Sequence, residues 1–371
     1  MITVEKTIHL PDTYPLDRLG PLDQLLFFDI ETTGFSGDYS QLYLIGCTYY
    51  QNDQWNLIQW FADTAAAEPE LLHAFFSFMD HFSILVHFNG DGFDIPYLLK
   101  RCHALGLPYD FSRITSLDIY KKIKPYRRLL HLENLKQKSL ERFLGIYRQD
   151  QYSGGQLIEI YQDYLVTRQA ALYDMLMLHN AEDLQGMPLI LPILNYPDFF
   201  EHSLVLKKRT ISQKTPAADV PWPITSGSSV PILELVFQSP YRIPVPFEQK
   251  NQFLHCLAHE NELIFAIPLY EGELKYFYPN YKDYYYMPLE DTAIHKSVGE
   301  YVEKDARIRA TARTCYTKKQ GCFLPQFKPL WEPSLQMEYK DKITFAEYRD
   351  SLFAQDDNTQ SYLHQLLSSF L

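Results

Sequence analysis

The chain has 371 residues, enough for two cores of ordinary domain size, and its 46% hydrophobic content excludes a disordered protein. Its five cysteines, at 47, 102, 256, 315 and 322, are odd in number and contain no Cys-x-x-Cys pair, which excludes a disulfide framework or a zinc knuckle and implies a reducing compartment. The net charge of −12 argues against a uniformly basic surface, yet residues 121–148 hold nine Lys/Arg against Glu133 and Glu141, and residues 296–319 hold seven against Glu300, Glu303 and Asp305. No basic region followed by an apolar run opens the chain, and no apolar stretch approaches about 18 residues. A soluble, cytoplasmic protein with no membrane partner is expected.

In chain order, Leu25–Ile30, Leu42–Tyr50 and Leu57–Ala62 read as three strands, rich in β-branched and aromatic residues. Glu70–Phe82 has helical spacing of Leu71, Leu72, Phe75, Phe76 and Met79, Ile84–Phe88 is a short apolar run, and Pro96–Leu105 is helical again. Ile114–Ile119 makes a fifth strand, followed by helices from about Glu133 to Leu144 and from about Arg168 to Gly186. A strand meander followed by alternating helix and strand predicts a mixed five-stranded sheet flanked by helices, an α/β fold. Prolines 188, 192 and 197 end the helix and mark a domain edge near residue 198. Residues 199–230 have a Ser/Thr/Pro-rich linker composition, with little regular structure expected from 203. A smaller α+β domain of unassigned function is expected over 231–371, helical around Asp291–Arg313 and again at Ser361–Phe370.

The strongest local signal is Phe27-Phe28-Asp29-Ile30-Glu31-Thr32-Thr33-Gly34. Alternation along a strand puts Asp29 and Glu31 on one face about 6.6 Å apart, a spacing at which both can ligate metal ions. Thr32, Thr33 and Gly34 then expose backbone amides beside those ions; the alternative is an acidic strand end facing water. In His87-Phe88-Asn89-Gly90-Asp91-Gly92-Phe93-Asp94, an apolar strand enters a glycine-bearing turn and Asp94 precedes a helix, at a strand's C-terminal edge or as a plain N-cap. Asp91 is the rival carboxylate. In Leu178-His179-Asn180-Ala181-Glu182-Asp183, His179 and Asp183 stand i, i+4 on one helix face, where Asp183 can complete a carboxylate cluster and His179 can reach an attacking water.

These three elements, in this order, resemble the motifs of the DEDD-type 3′→5′ exonuclease superfamily, whose fold is ribonuclease H-like. The second, with Asn89, Phe93-Asp94, Pro96-Tyr97-Leu98 and Arg101, is similar to the proofreading domain of family B DNA polymerases and to the bacterial YprB-like group. Ser116-Leu117-Asp118 and Leu132-Glu133-Asn134-Leu135 also resemble segments of those proteins, and the likeness covers roughly 22–195. It implies that Asp29, Glu31, Asp94 and Asp183 bind metal, that Asp183 is chosen over Glu182, and that nucleoside 5′-monophosphates are released from 3′ ends. One departure is that His179 occupies the spacing at which the polymerase-like branch carries Tyr.

Clustered carboxylates select hard ions, Mg²⁺ or Mn²⁺, and two such ions about 3.5–4 Å apart suit in-line displacement at phosphorus. Phe35, Tyr39 and Phe93 are candidates for stacking on a terminal base, with core packing as the alternative. Lys121, Lys122, Lys124, Arg127 and Arg128, together with Asn89, are the expected contacts to single-stranded or frayed DNA or RNA, as in repair or nucleic-acid processing. In the C-terminal part, Lys275–Tyr278 and Tyr281–Tyr286 interleave aromatics with lysine, fitting either single-stranded nucleic acid or an aromatic core; His295, Cys315 and Cys322 make no convincing metal set. A non-catalytic nucleic-acid or partner-binding scaffold on the same fold is the alternative reading.

Overall fold

A computed structural model describes residues 1–150, 152–202, 204–217, 220–222 and 229–370. Two compact units emerge, one of residues 1–198 with 243–245, the other of 199–242 with 246–371.

The first unit is built on a sheet of six strands: β1 (Ile2–Ile8), β2 (Leu25–Thr32), β3 (Leu42–Gln51), β4 (Gln54–Phe61), β5 (Ile84–His87) and β6 (Thr115–Asp118). Their spatial order is β1-β4-β3-β2-β5-β6. β2 is antiparallel to β3 and parallel to β5, so the sheet changes sense at the strand carrying Asp29 and Glu31. β5 and β6 run parallel to it and end at the same edge, the place where open α/β sheets leave a crevice. The expected mixed sheet is present, with one strand more than the five expected. β1 is that strand, pairing antiparallel with β4 from Ile2↔Phe61 to Ile8↔Trp55. Its mixed, largely exposed sequence suits an edge position and carries little strand signal.

Helices α1 (Glu68–Met79), α2 (Asp94–Leu105), α3 (Ile119–Ile123), α4 (Gln137–Phe143), α5 (Gly154–Thr167), α6 (Ala170–Ile190) and α7 (Asn195–Glu201) complete the order. The two faces of β2 are covered by different helices. Phe28 stacks on Phe75 of α1 with ring centroids 5.6 Å apart, while Asp29, on the other face, accepts a hydrogen bond from Asn180 of α6. Gly46 of β3 sits directly opposite Asp29, and a Cβ there would lie 2.2 Å from Asn180 Oδ1. The missing side chain at 46 is what admits α6 this close to the sheet.

Three helical readings in this unit need correction. α5 was not anticipated, because Gly154 and Gly155 lower helix propensity at its start. A capping box between Ser153 and Gln156 starts it, and buried Leu157, Tyr161 and Tyr164 give it an apolar face, with Tyr161 stacked on Tyr43 at 4.2 Å. α4 starts at Gln137 rather than near Glu133. Pro188 does not stop α6, which runs to Ile190 and is followed by a 3-10 turn and α7. Pro188 has no amide for the Leu184 carbonyl, and that carbonyl instead accepts from the buried Thr48 hydroxyl at 3.4 Å.

The second unit is mostly strand. A five-stranded antiparallel sheet has the order β7 (Val205–Lys214), β8 (Val230–Gln238), β11 (Glu262–Pro268), β10 (His255–His259), β9 (Phe247–Lys250). Two three-stranded sheets are β12 (Tyr270–Phe277), β16 (Tyr316–Gln326), β17 (Thr344–Glu347) and β14 (Thr292–His295), β13 (Tyr284–Met287), β15 (Ile308–Arg309). The expected linker is corrected by β7, whose residues 205–214 pair along β8; of that stretch, 203, 218–219 and 223–228 lie outside the described residues. Asp291–Arg313 holds the four-residue α8 (Lys296–Gly299), a 3-10 turn at Lys304–Ala306 and strand pieces rather than one helix, because Tyr284–Met287 recruits Thr292–His295 and Ile308–Arg309 as neighbours. The C-terminal helix, α9, spans Asp356–Ser368. Several cations of this unit are already engaged: Lys318 pairs with Glu273 and Asp291, Lys319 with Glu347, and Arg307 lies 4.5 Å over the Tyr285 ring. Among the described residues, no helix is long and apolar enough to cross a membrane.

One buried ion pair fixes the β2–β3 turn against α2. Arg101 Nε and Nη2 each donate to Glu68 at 2.6 Å, Arg101 Nη1 donates to the Gly37 carbonyl at 2.9 Å, and Glu68 Oε1 also accepts from Leu42 N at 2.9 Å. Removing one partner strands a buried charge. Arg101→Ala is expected to cost about 3–5 kcal/mol, read as a lowered urea midpoint, whereas Lys100→Ala, at the exposed Lys100–Asp38 pair, should leave the midpoint in place.

Candidate active site

Three elements bring four carboxylates together at the β2 edge. Asp29 and Glu31 project from β2, and a register shift between Glu31 and Thr32 bends the strand just past them. Asp94 is the first residue of α2, reached through a turn in which Asn89 takes a left-handed φ of 64°. Two side chains hold that turn: Asp118 Oδ1 accepts from Asn89 N at 2.9 Å, and His87 Nδ1 accepts from Gly90 N at 3.0 Å. Asp94 is no N-cap, since Phe93 occupies that position and the Asp94 side chain is buried toward β2. Asp91 is turned elsewhere, bonded to Ser116 and paired with Lys121 at 2.6 Å.

Along α6, successive side chains divide the work. Asn180 Nδ2 donates to Asp29 Oδ2 at 2.9 Å, while its own Oδ1 accepts from Gln59 Nε2 at 2.9 Å, which fixes the amide's orientation. His179 Nε2 lies 3.2 Å from Asp183 Oδ2 and 3.6 Å from Glu31 Oε1. Its Nδ1 lies 2.7 Å from Asp150 Oδ2. Asp183 Oδ1 is held by Arg148 Nη1 at 2.6 Å, and the same guanidinium forks onto Glu141. Glu182, one residue before, points away and accepts from the backbone amides of Gln149 and Asp150 at 2.9 and 2.8 Å. The two adjacent acids on α6 therefore have separate tasks.

Burial and mutual repulsion raise the carboxyls on and beside β2. Desolvation pushes Asp29 well above the usual range, with Asp183, Glu31 and Asp94 adding repulsion against the Asn180 hydrogen bond. Glu31 is raised for the same leading reason, then by Asp183, Asp94 and Asp150. Desolvation lifts Asp94 to about 7, against backbone hydrogen bonds from its own amide and that of Ile30. Asp150 differs: burial raises it, but Lys138, the Tyr152 amide and His179 outweigh that and leave it lowered.

An all-oxygen donor set carrying this much unrelieved repulsion fits hard divalent cations. Glu31, His179 and Asp183 offer ligand atoms all within 4.8 Å of one another. Arg148 engages Asp183 Oδ1, leaving Oδ2 turned toward the cluster. A second group within the same limit, His87 with Asp91 and Asp118, has most of its donors spent on Gly90, Ser116, Lys121 and Asn89.

The expected nucleic-acid contacts are more mixed. The Thr33 amide is bonded to Gln41 O at 2.8 Å, so the expectation of an exposed amide there is corrected; Thr32 Oγ1 donates to Gly34 O at 2.8 Å within the same turn. Lys121 is committed to Asp91, and Arg127 donates from Nε and Nη2 to the Leu132 and Glu133 carbonyls. Lys122, Lys124 and Arg128 are exposed, with Lys124 5.7 Å over the Tyr120 ring. Phe35 and Tyr39 are 91% and 93% exposed rather than core, and half-buried Phe93 meets Phe35 edge-on at 6.4 Å. A groove of about 510 Å³ runs beside Asn89, Tyr120, Lys136 and Gln137, and Gln137 Nε2 donates to the Asp183 carbonyl at 2.8 Å. Asp150, Arg148, Lys138 and Asn180 went unrecognised in the sequence: two were counted as basic surface, and nothing local marks the others.

The family model described as RNase_H superfamily matches residues 26–195. A DNA polymerase of Thermococcus litoralis is 31% identical over 93 residues, which cover 23% of this chain and 6% of that protein. DNA polymerase 1 of Aeropyrum pernix is 31% identical over 77 residues, 21% of this chain and 7% of that one. The chain thus spans under a tenth of the length of these curated relatives. Among solved structures, the family B DNA polymerase of Pyrobaculum calidifontis aligns at 14% identity and TM-score 0.39, covering 68% of this chain and 33% of its own. The E. coli ExoI–ssDNA complex aligns at 14% identity and TM-score 0.29, covering 59% and 55%.

The raised Asp94 has a thermodynamic signature in metal-free protein. Between its usual value near 3.8 and about 7, the folded state binds the proton more tightly than the unfolded state, so this group's contribution to stability falls as pH rises through that window. Asp94→Asn, which removes the charge, is therefore expected to melt higher than the unsubstituted protein at pH 8, with the gap closing toward pH 4. Millimolar Mg²⁺ or Mn²⁺ should raise the melting temperature at pH 8 in the unsubstituted protein and not in Asp29→Asn/Asp94→Asn, by differential scanning fluorimetry.

Proposed function

We propose that the protein is a divalent-metal-dependent 3′→5′ exonuclease of the DEDD group, releasing nucleoside 5′-monophosphates from single-stranded or frayed ends, a reading supported by the match of residues 26–195 to the RNase_H superfamily model and by the likeness to DNA polymerases. The observation that carries the proposal is the meeting of Asp29, Glu31, Asp94 and Asp183 at one sheet edge with the His179 imidazole against two of them. Asp29, Glu31, Asp94 and the Oδ2 of Asp183 that Arg148 leaves untouched would hold the ions. Two Mg²⁺ or Mn²⁺ ions held there would supply a water of lowered pKa and neutralise charge on the scissile phosphate. Asn180 fixes the Asp29 carboxylate, and Arg148 fixes that of Asp183, so the ligands are oriented before substrate arrives. The groove beside Asn89 and Tyr120 gives a strand a path to the cluster, with Lys122 and Lys124 close to it in sequence for phosphate contact and the exposed ring of Phe35 for a terminal base. Repair or processing of nucleic-acid ends is the setting this activity suits.

A second reading, a non-catalytic binding scaffold, draws on one observation: Arg148 already neutralises part of Asp183. One assay separates the two. Oligonucleotides of DNA and RNA, labelled at either end, are incubated with protein and Mg²⁺ or Mn²⁺; immediate release of a 3′ label, with a shortening ladder from the 5′ label, is expected. Asp29→Asn and Glu31→Gln should each slow release by about 100-fold or more. Binding without release by the unsubstituted protein favours the scaffold. Lys122→Glu/Lys124→Glu should raise KM, leave kcat near its starting value and flatten the salt dependence of binding.

A further inference from the structure

We propose that Asp150 is a positioning residue that fixes the tautomer and orientation of His179, so that Nε2 presents a lone pair to the water attacking the scissile phosphate. The inference rests on the exonuclease reading above and deepens it.

The Asp150 carboxylate has its partners on the page. Oδ2 accepts from Lys138 Nζ at 2.6 Å and lies 2.7 Å from His179 Nδ1, and Oδ1 accepts from Tyr152 N at 3.0 Å. Its side chain is 2% exposed. Its backbone is pinned as well, since Glu182 takes the amides of Gln149 and Asp150, and Lys138 also donates to the Tyr152 carbonyl at 2.7 Å. The loop is thus tied to α4 and α6 at several points around one imidazole.

The Asp150 carboxylate only accepts hydrogen bonds, so Nδ1 donates to it; with the Asp183 and Glu31 oxygens engaged on the ions they would hold, a neutral imidazole then has its lone pair on Nε2. Nε2 is the nitrogen beside Asp183 Oδ2 and Glu31 Oε1. As the water oxygen bonds to phosphorus and the P–O3′ bond breaks, the water proton passes to Nε2, and the leaving oxygen takes a proton from solvent. This arrangement explains why the protein needs acid at 150 and base at 138 in one contact: the lysine keeps Asp150 charged and accepting. It also gives a histidine at the i−4 spacing a fixed aim, which the helix alone does not supply.

Asp150→Asn tests the chemistry with little change of shape. The one oxygen left cannot serve both Tyr152 N and Lys138 Nζ, so the uncharged amide no longer holds a proton on Nδ1. Histidine-selective ¹⁵N labelling, with His179→Gln identifying the resonances, reads the tautomer directly in Mg²⁺-loaded protein. The expected result is a proton on Nδ1 alone in the unsubstituted protein and loss of that single tautomer in Asp150→Asn. Kinetically, kcat should fall about tenfold or more, with KM within about twofold, since a wrong tautomer behind a base costs as much or more in related acid–base–nucleophile sets. Asp150→Asn/His179→Gln should be no slower than His179→Gln alone, because Asp150 acts only through the imidazole. A proton on Nε2 in the unsubstituted protein, or multiplicative losses in the double variant, overturns the proposal. The unsubstituted tautomer requires no variant and decides the matter even where Asp150→Asn does not fold. Absence of mononucleotide release from the unsubstituted protein would instead count against the exonuclease reading, leaving the tautomer measurement to judge Asp150.

Discussion

Four acidic side chains packed into the edge of a sheet repel one another, and much of the first unit is arranged around bearing that repulsion. Asp29, Glu31 and Asp94 are held above their usual range by burial and by each other. In a medium of low effective dielectric such a cluster is tolerable only where fixed dipoles and cations surround it. Asn180 with Gln59 behind it, Arg148 shared with Glu141, and Lys138 on Asp150 form that surround. The net acidity of the chain and its basic segment at 121–148 are thus partly one fact: two of those cations face inward to the acids.

The sheet's change of sense makes the cluster geometrically possible. β2 has an antiparallel neighbour on one side and a parallel neighbour on the other, so β5 and β6 deliver their ends to the edge that β2 reaches. Alternation then assigns Phe28 to the α1 face and Asp29 to the α6 face. α6 can approach because position 46 is glycine. A strand pattern, a topology and one absent methyl group cooperate to place a single hydrogen bond.

The strands that bury both faces, and helices with long apolar periodicity such as α1, were legible because burial leaves a dense hydrophobic record. β1 left little, being exposed along most of its length, and α5 hid behind two glycines whose cost is offset by the Ser153–Gln156 box. Pro188 misled for a reason lying far off in sequence: the carbonyl it leaves unpaired finds Thr48. At the candidate site, Asp29, Glu31, Asp94, His179 and Asp183 were readable from local spacing and order. Asp150 and Arg148 were not, since their partners lie on α6, some thirty residues on, and become neighbours only after folding. The irregular reading of 205–214 failed similarly, because the partner that makes it a strand is β8.

Arg148 has a consequence of its own. Its guanidinium reaches Asp183 Oδ1 and Glu141 at once, so an ion taken by Asp183 Oδ2 leaves the segment before Asp150 tethered and finds its ligand already aimed. Occupancy of the site and the order of this segment are then reciprocally linked: whatever loosens the one weakens the other by the same free energy. A molecule gripping the segment from outside would tune the affinity for the ion without touching a single ligand.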